Sequence, residues 1–368
     1  MPAPTTRTSY CCMRRTSLPW ARPGAVAPVL DRRHGRRPTV PPDRAPPAGV
    51  GSGWADPASR RRRGERRRSA RVWSGRVTPW SSVLAADPSP GQPAGLPHPA
   101  LVLLHAFPLS SVMYDRLVPL LPDVRRVLVD LPGLGRSADL VTGPDAPEPS
   151  VAAMADAVLA ALDAAGVDRF VVMGTSTGGY VALELAARAP ERLAGLVLAS
   201  TSCRVGPPDV PDERRDLADR LEADGTVDAV RDAARAGLGE TALDQQPGLL
   251  GITTRLVEEA DPRGVAWAAR AVAARRDTAE VLARVDAPVL LLFGEEDTET
   301  PPAREATDLA EVRAGRPTRR VDLAATGHLS ALERPAAVAA TLRELVTEAT
   351  ADLQGATPSG GLRGLGRG

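Results

Sequence analysis

The sequence predicts an α/β protein: a mostly parallel sheet with helices on both faces, interrupted by one helical insertion. Three observations carry that class. Short, largely apolar runs recur at 100–104, 126–129, 169–173, 193–199 and 288–293, each too short for a helix and read as strands covered on both faces. Helical stretches alternate with them, a rhythm that implies right-handed crossovers and a parallel sheet. Between about 204 and 284 the rhythm stops, and the chain there holds only charged helical stretches.

The chain ahead of the first strand is of another kind. Residues 1–97 hold 16 of the 36 prolines and show neither helical nor strand periodicity. Residues 1–80 carry 18 arginines against 4 acidic residues, whereas 81–368 carry 28 against 41, so a near-neutral total hides two opposite segments. Runs such as Arg60-Arg61-Arg62-Arg63 and Arg66-Arg67-Arg68 repel themselves and bury nothing. No regularly interleaved aromatics accompany them, so 1–97 reads as a disordered extension, and nucleic acid is not an expected partner. Arg14-Arg15 resembles a twin-arginine start, but Pro19, Arg22, Pro23, Gly24 and Pro28 interrupt the apolar region that such a signal needs. No run approaches a membrane span, so no membrane partner is expected. Cys11, Cys12 and Cys203 form no disulfide or metal-ligand pattern, and with four histidines in all, no metal is expected. A cytoplasmic location is the default.

Order is predicted from about residue 98. Ala100 to His105 is the first strand, and a helix is expected from about Val112 to Leu121. Arg126 to Asp130 is the second strand, broken by Leu131-Pro132-Gly133-Leu134-Gly135-Arg136-Ser137. Ser150 is placed to cap a helix whose Val151, Met154, Val158, Leu159 and Leu162 share a face, and Gly166 stops it. The strand at 169–173, a helix to Arg188 and the strand Leu193–Ala199 complete the first half of the core, 98–203. The insertion, 204–284, is read as four helices: Asp212–Ala223, Val227–Leu238, Leu249–Ala260 and Pro262–Arg275. Emerging from a strand's carboxyl end, it is expected to act as a cap. The core resumes over 285–352 with the strand Pro288–Phe293, a helix near Ala303–Ala314, the strand Arg319–Leu323 and a helix from Pro335. Residues 353–368 read as a frayed, glycine-rich tail. Only Val72–Val77 and Ser82–Ala86 are available for any strand ahead of Ala100.

In such sheets ligands sit outside the carboxyl ends of the strands. There stands Gly174-Thr175-Ser176-Thr177-Gly178, a strand turning sharply into a helix. A G-x-S-x-G match arises by chance about 0.2 times in a chain of this composition, so context must decide. A serine hydroxyl needs a base to take its proton, and the base works better with a carboxylate fixing its tautomer. Downstream, in order and each just after a strand, come an acidic turn, Gly294-Glu295-Glu296-Asp297, and Thr326-Gly327-His328. Glu295, Glu296 and Glu299 compete with Asp297 for the acid's place.

Taken with His105-Ala106-Phe107-Pro108, the 130–137 block and Leu332-Glu333-Arg334-Pro335, these motifs resemble the α/β-hydrolase fold superfamily over about 100–350. The overall cast is most similar to its small serine hydrolases, such as enol-lactone hydrolases and carboxylesterases. The resemblance implies Ser176 as nucleophile, His328 as general base and acid, and Asp297 as the orienting carboxylate. It implies an oxyanion hole from the backbone N–H groups of Phe107 and Thr177. Ala106 stands where the family usually has glycine. His105 and Trp267, the one large aromatic of the insertion, are substrate-pocket candidates, with His105 more structural than basic. The implied function is hydrolysis of a small-molecule acyl substrate (an ester, lactone or thioester) through an acyl-enzyme, without a cofactor. Perhydrolase or haloperoxidase-like chemistry on the same three residues is one alternative, and a non-catalytic ligand-binding protein of this fold is another.

Overall fold

Among the described residues, six strands lie parallel in a single sheet, in the order β2-β1-β3-β4-β5-β6. The computed structural model describes residues 99–355, apart from 145 and 208. Strands β1 (Ala100–Leu104), β2 (Arg126–Val129), β3 (Phe170–Thr175), β4 (Leu193–Ala199) and β5 (Val289–Gly294) are buried along their whole length. This is why their sequences run apolar without alternation: helices cover both faces. The edge strand β6 (Thr318–Leu323) is half-exposed and carries Arg319, Arg320 and Asp322, charges that blunt an open edge against stray pairing. The 1–98 extension, including the possible strands at 72–77 and 82–86, lies outside the described residues.

Register brings the carboxyl ends to one level. Leu104 pairs with both Val129 and Gly174, Thr175 with Ala199, Ala199 with Leu292, and Gly294 with Leu323. The residues just beyond these ends, His105, Asp130, Ser176, Ser200, Glu295 to Asp297 and Ala324 to His328, therefore leave the sheet along one edge. That alignment positions the site.

Helix α1 (Val151–Ala164) begins where expected, with the Ser150 hydroxyl accepting from the N–H of Ala153 at 3.0 Å. It ends before Gly166, whose φ of 62° suits glycine. Helix α2 (Thr177–Arg188) leads from β3. The helix expected over 112–121 is instead two 3₁₀ turns, Ser111–Tyr114 and Val118–Leu120. Pro119 is the reason: it offers no N–H and its ring would clash with the carbonyl one turn back.

Between β4 and β5 the chain is entirely helical in its regular elements. It forms α3 (Asp209–Asp224), α4 (Ala233–Ala236), α5 (Glu240–Gln245), α6 (Gly248–Glu258), α7 (Pro262–Ala273) and α8 (Ala279–Arg284). The helix expected over 227–238 is broken into a 3₁₀ turn and α4, and α5 and α8 were not expected. Helices α3 and α7 pack along each other, whereas α8 packs on α2 and on α9 (Glu305–Val312), beside the sheet. Short α10 (Ser330–Glu333) and long α11 (Pro335–Gly355) finish the described chain, α11 running three residues past the predicted fraying point. No helix among the described residues is long and apolar enough to cross a membrane.

Candidate active site

One residue, Ser176, makes the turn from β3 into α2, and its backbone sits at φ 54°, ψ −116°. Such a conformation costs a non-glycine residue about 1–3 kcal/mol and persists only where the surroundings enforce it. Here they do. The Ser176 N–H donates to the carbonyl of Ala199 at 2.9 Å. Its carbonyl accepts from the N–H of Gly179 at 2.8 Å and from the Thr201 hydroxyl at 2.7 Å. A Cβ on Gly174 would lie 2.2 Å from the carbonyl oxygen of Gly178, and one on Gly178 would lie 2.2 Å from that of Leu104. Small neighbours on both sides of the serine are thus a steric requirement. The hydroxyl stands half-buried at the N-terminus of α2, where backbone N–H groups are unspent.

Asp297 lies just beyond β5 and is 3% exposed. Its Oδ1 accepts from the N–H groups of Glu299 (3.0 Å) and Thr300 (2.9 Å), and its Oδ2 from the Thr300 hydroxyl (2.7 Å). Nδ1 of His328 lies 3.1 Å from Oδ1 and 3.0 Å from Oδ2. Burial pushes the Asp297 carboxyl up, but the neighbouring imidazole and these donors outweigh it and hold it below the usual carboxylate range. For His328 burial pulls downward, and attraction to Asp297 with their hydrogen bond outweighs it, leaving the imidazole above its ordinary 6.5. Among the described residues no hydrogen bond joins the Ser176 hydroxyl to His328, whose ring bonds through Nδ1 to Asp297 and Thr300. Without substrate such a contact is often long.

Among the described residues none of the competing acids bonds to His328. Glu295 and Glu299 are exposed, and Glu296 accepts from the N–H (2.9 Å) and hydroxyl (2.5 Å) of Thr241 in the inserted segment. Thr300 and Thr201 escaped the sequence reading. An acidic residue with a Thr close behind it in a turn is a readable hint for the first, but nothing local points to the second.

Thr177 opens α2 and is buried, and Phe107 is half-buried in the turn after β1, with the Arg214 guanidinium of α3 5.4 Å from its ring centre. Ala106 is buried and is not among the residues of positive φ, so the turn accepts its methyl without strain.

The two expected pocket residues are buried and hydrogen-bonded to backbone. His105 is fully buried, with Nε2 accepting from the N–H of Leu131 at 2.9 Å and Nδ1 donating to the carbonyl of Ala106 at 3.0 Å. Both nitrogens are spent on backbone, and burial pushes the imidazole's pKa down despite nearby Asp130. It is a strut between the loops after β1 and β2. Asp130 anchors the same region, accepting from the N–H of Ser111 at 2.7 Å and Nε of Arg136 at 2.7 Å. Trp267 on α7 is 6% exposed within the apolar core, and its Nε1 donates to the carbonyl of Pro147 at 2.9 Å. Trp267→Ala is therefore expected to cost about 3–5 kcal/mol of stability in a denaturant melt, lowering turnover of all acyl lengths alike. A shifted acyl preference with an unchanged melt would return it to the pocket.

A cavity of about 500 Å³ lined by Arg169, Leu193 and Pro288 opens at the opposite, amino ends of β3 to β5, and it holds none of these groups.

A model of the alpha/beta hydrolase family matches residues 101–341. A pimeloyl-[acyl-carrier protein] methyl ester esterase of Neisseria meningitidis (serogroup A) is 32% identical over 268 residues, 70% of this chain and 80% of that protein. Its serogroup B, serotype 15 counterpart is 34% identical over 210 residues, 54% of this chain and 75% of the relative. Among solved structures, a thermophilic esterase from Thermogutta terrifontis superposes with a TM-score of 0.64 at 27% identity, over 73% of this chain and 98% of its own. The enol-lactonase of Burkholderia xenovorans gives 0.60 at 25% identity, over 70% and 94%.

Proposed function

The chain belongs to the alpha/beta hydrolase family, and on that premise we propose that it is a serine hydrolase of small esters, lactones or thioesters working through an acyl-enzyme. The observation that carries this is the buried Asp297–His328 pair, 3.0 Å apart, at the same sheet end as the strained Ser176. Relatives named as methyl ester esterases and an enol-lactonase support the substrate class.

In the proposed reaction Nε2 of His328 removes the Ser176 proton as Oγ bonds to the acyl carbon. Asp297 keeps the proton on Nδ1 and stabilises the imidazolium that forms. The carbonyl π-electrons move to oxygen, and the N–H groups of Thr177 and Phe107 hold the oxyanion, contributing about 3 kcal/mol each. Collapse breaks the bond to the leaving oxygen or sulfur, which takes the proton from His328. Water, deprotonated by the same imidazole, then repeats the sequence and frees the acid. The inserted helices α3 to α7 roof the site in this reading and shape which acyl chains enter.

The base must be neutral to act. Because the folded-state pKa of His328 is raised, kcat/KM is expected to fall on the acid side with a midpoint above 6.5. The sign for stability is opposite: the contribution of His328 is full below 6.5, while Asp297 stays ionised, and fades as pH rises through the folded value. A pH profile on p-nitrophenyl acetate checks the first, and a melt series checks the second. The functional reading is tested with methyl, p-nitrophenyl and thioesters of increasing acyl length, together with small lactones. Turnover of at least one series is expected. Failure to hydrolyse any of them, in folded protein, contradicts it.

A further inference from the structure

His328 is flanked by two residues whose N–H groups point to one buried carboxylate. Oε2 of Glu333 accepts from the N–H of Gly327 at 2.9 Å, and Oε1 accepts from that of Leu329 at 3.2 Å. The same Oε2 accepts from the N–H of Gly239, in the inserted segment, at 3.2 Å. Glu333 is 2% exposed, so three donors satisfy a carboxylate that water scarcely reaches. The two backbones it joins are in contact: a Cβ on Gly327 would lie 2.2 Å from the nitrogen of Gly239. Leu329 also donates to the carbonyl of Gly237 at 3.1 Å. One position before Asp297, Glu296 holds Thr241, so residues 237–241 are fastened to both loops that carry the Asp297–His328 pair.

We propose that Glu333 is a positioning residue for His328, fixing the backbone on both sides of the imidazole and fastening it to the inserted helices at Gly239. The proposal rests on His328 being the base. A helix-capping carboxylate with no other duty would need only the N–H groups of its own turn. This one reaches across 94 residues to Gly239. Its charge also acts on the ring: Asp297, Glu299 and Glu333 all favour the imidazolium, and Glu296 faces Glu333 in turn. Burial raises the Glu333 carboxyl pKa, and its three N–H donors oppose the rise.

The test uses the full chain and p-nitrophenyl acetate. Glu333→Ala is expected to lower kcat about 10²-fold, the usual cost of a displaced catalytic group, with KM within about twofold. Glu333→Gln keeps a carbonyl oxygen for Gly327 and Gly239 but turns its NH₂ against the N–H of Leu329, so it is expected to recover part of kcat. It removes a negative charge beside His328, so the acid limb of its kcat/KM profile moves to lower pH. Loss of the charge moves that limb whatever the carboxylate's role, so the positioning role is read from the kcat loss at constant KM in the Ala variant and its partial rescue in the Gln variant. Wild-type kcat in a folded Glu333→Ala overturns the proposal; if that variant does not fold, Glu333→Asp, whose shorter side chain cannot reach all three N–H groups together, decides by the same measurement. Inactivity of the wild-type protein on every ester would instead fail the hydrolase reading itself.

Discussion

Asp297→Asn is expected to lower kcat on a p-nitrophenyl ester by about 10⁴-fold while the protein still folds. The geometry dictates which way the new amide faces. Oδ1 of Asp297 accepts two backbone N–H groups, from Glu299 and Thr300, so the Asn carbonyl oxygen must take that place. The NH₂ group then falls at the Oδ2 position, 3.0 Å from Nδ1 of His328, while the carbonyl oxygen, 3.1 Å from the same nitrogen, is already shared by two N–H donors. A donor facing Nδ1 makes that nitrogen the acceptor and moves the ring proton to Nε2. The imidazole then cannot take the serine proton. Both backbone bonds survive, which is why folding does too. Asp297 has a depressed folded-state pKa, so its stabilising contribution is present above about 3.8 and is lost as pH falls through the folded value. The Asn variant is expected to lose that part of its acid sensitivity. Near-normal turnover would mean that the tautomer is held by some other group.

Ser176→Ala is expected to lower kcat by about 10⁶, because three groups acting as one unit leave little when the nucleophile is gone. Adding Asp297→Asn to it should then cost almost nothing further. Stability offers an independent check. Alanine keeps a Cβ at φ 54° and with it the strain, whereas Ser176→Gly removes both. Release of about 1–3 kcal/mol of strain, set against about 0.5–1 kcal/mol of added chain entropy, leaves the Gly variant about 1 kcal/mol more stable than wild type. A glycine variant that melts no higher than the alanine variant would show that the turn stores no strain.

Much of this was legible in the residues. The five buried strands announce themselves as largely apolar runs because their burial is two-sided, and Ser150 and Gly166 mark the limits of α1 by capping chemistry. The parallel register dictates which residues stand at the strands' carboxyl ends, so the placement of Ser176, His328 and the acidic turn at one sheet edge was readable from chain order, whereas the choice of Asp297 within that turn came from the resemblance. Orientation was not. Residue type placed His105 and Trp267 near the site, but only packing shows both nitrogens of the one and the indole N–H of the other spent on backbone carbonyls or amides. Pro119 overrode an apolar periodicity at 112–121. The contact of Glu333 with Gly239 joins positions far apart in the chain, and no local pattern encodes it.

Fluorophosphonate labelling with peptide mapping bears most directly on the claim that Ser176 is the nucleophile. The expected result is one adduct per chain, on the peptide that contains Ser176. It should be absent from Ser176→Ala and strongly slowed in His328→Ala. An adduct on another serine, or full esterase activity in a chain that takes no label at Ser176, would contradict the account.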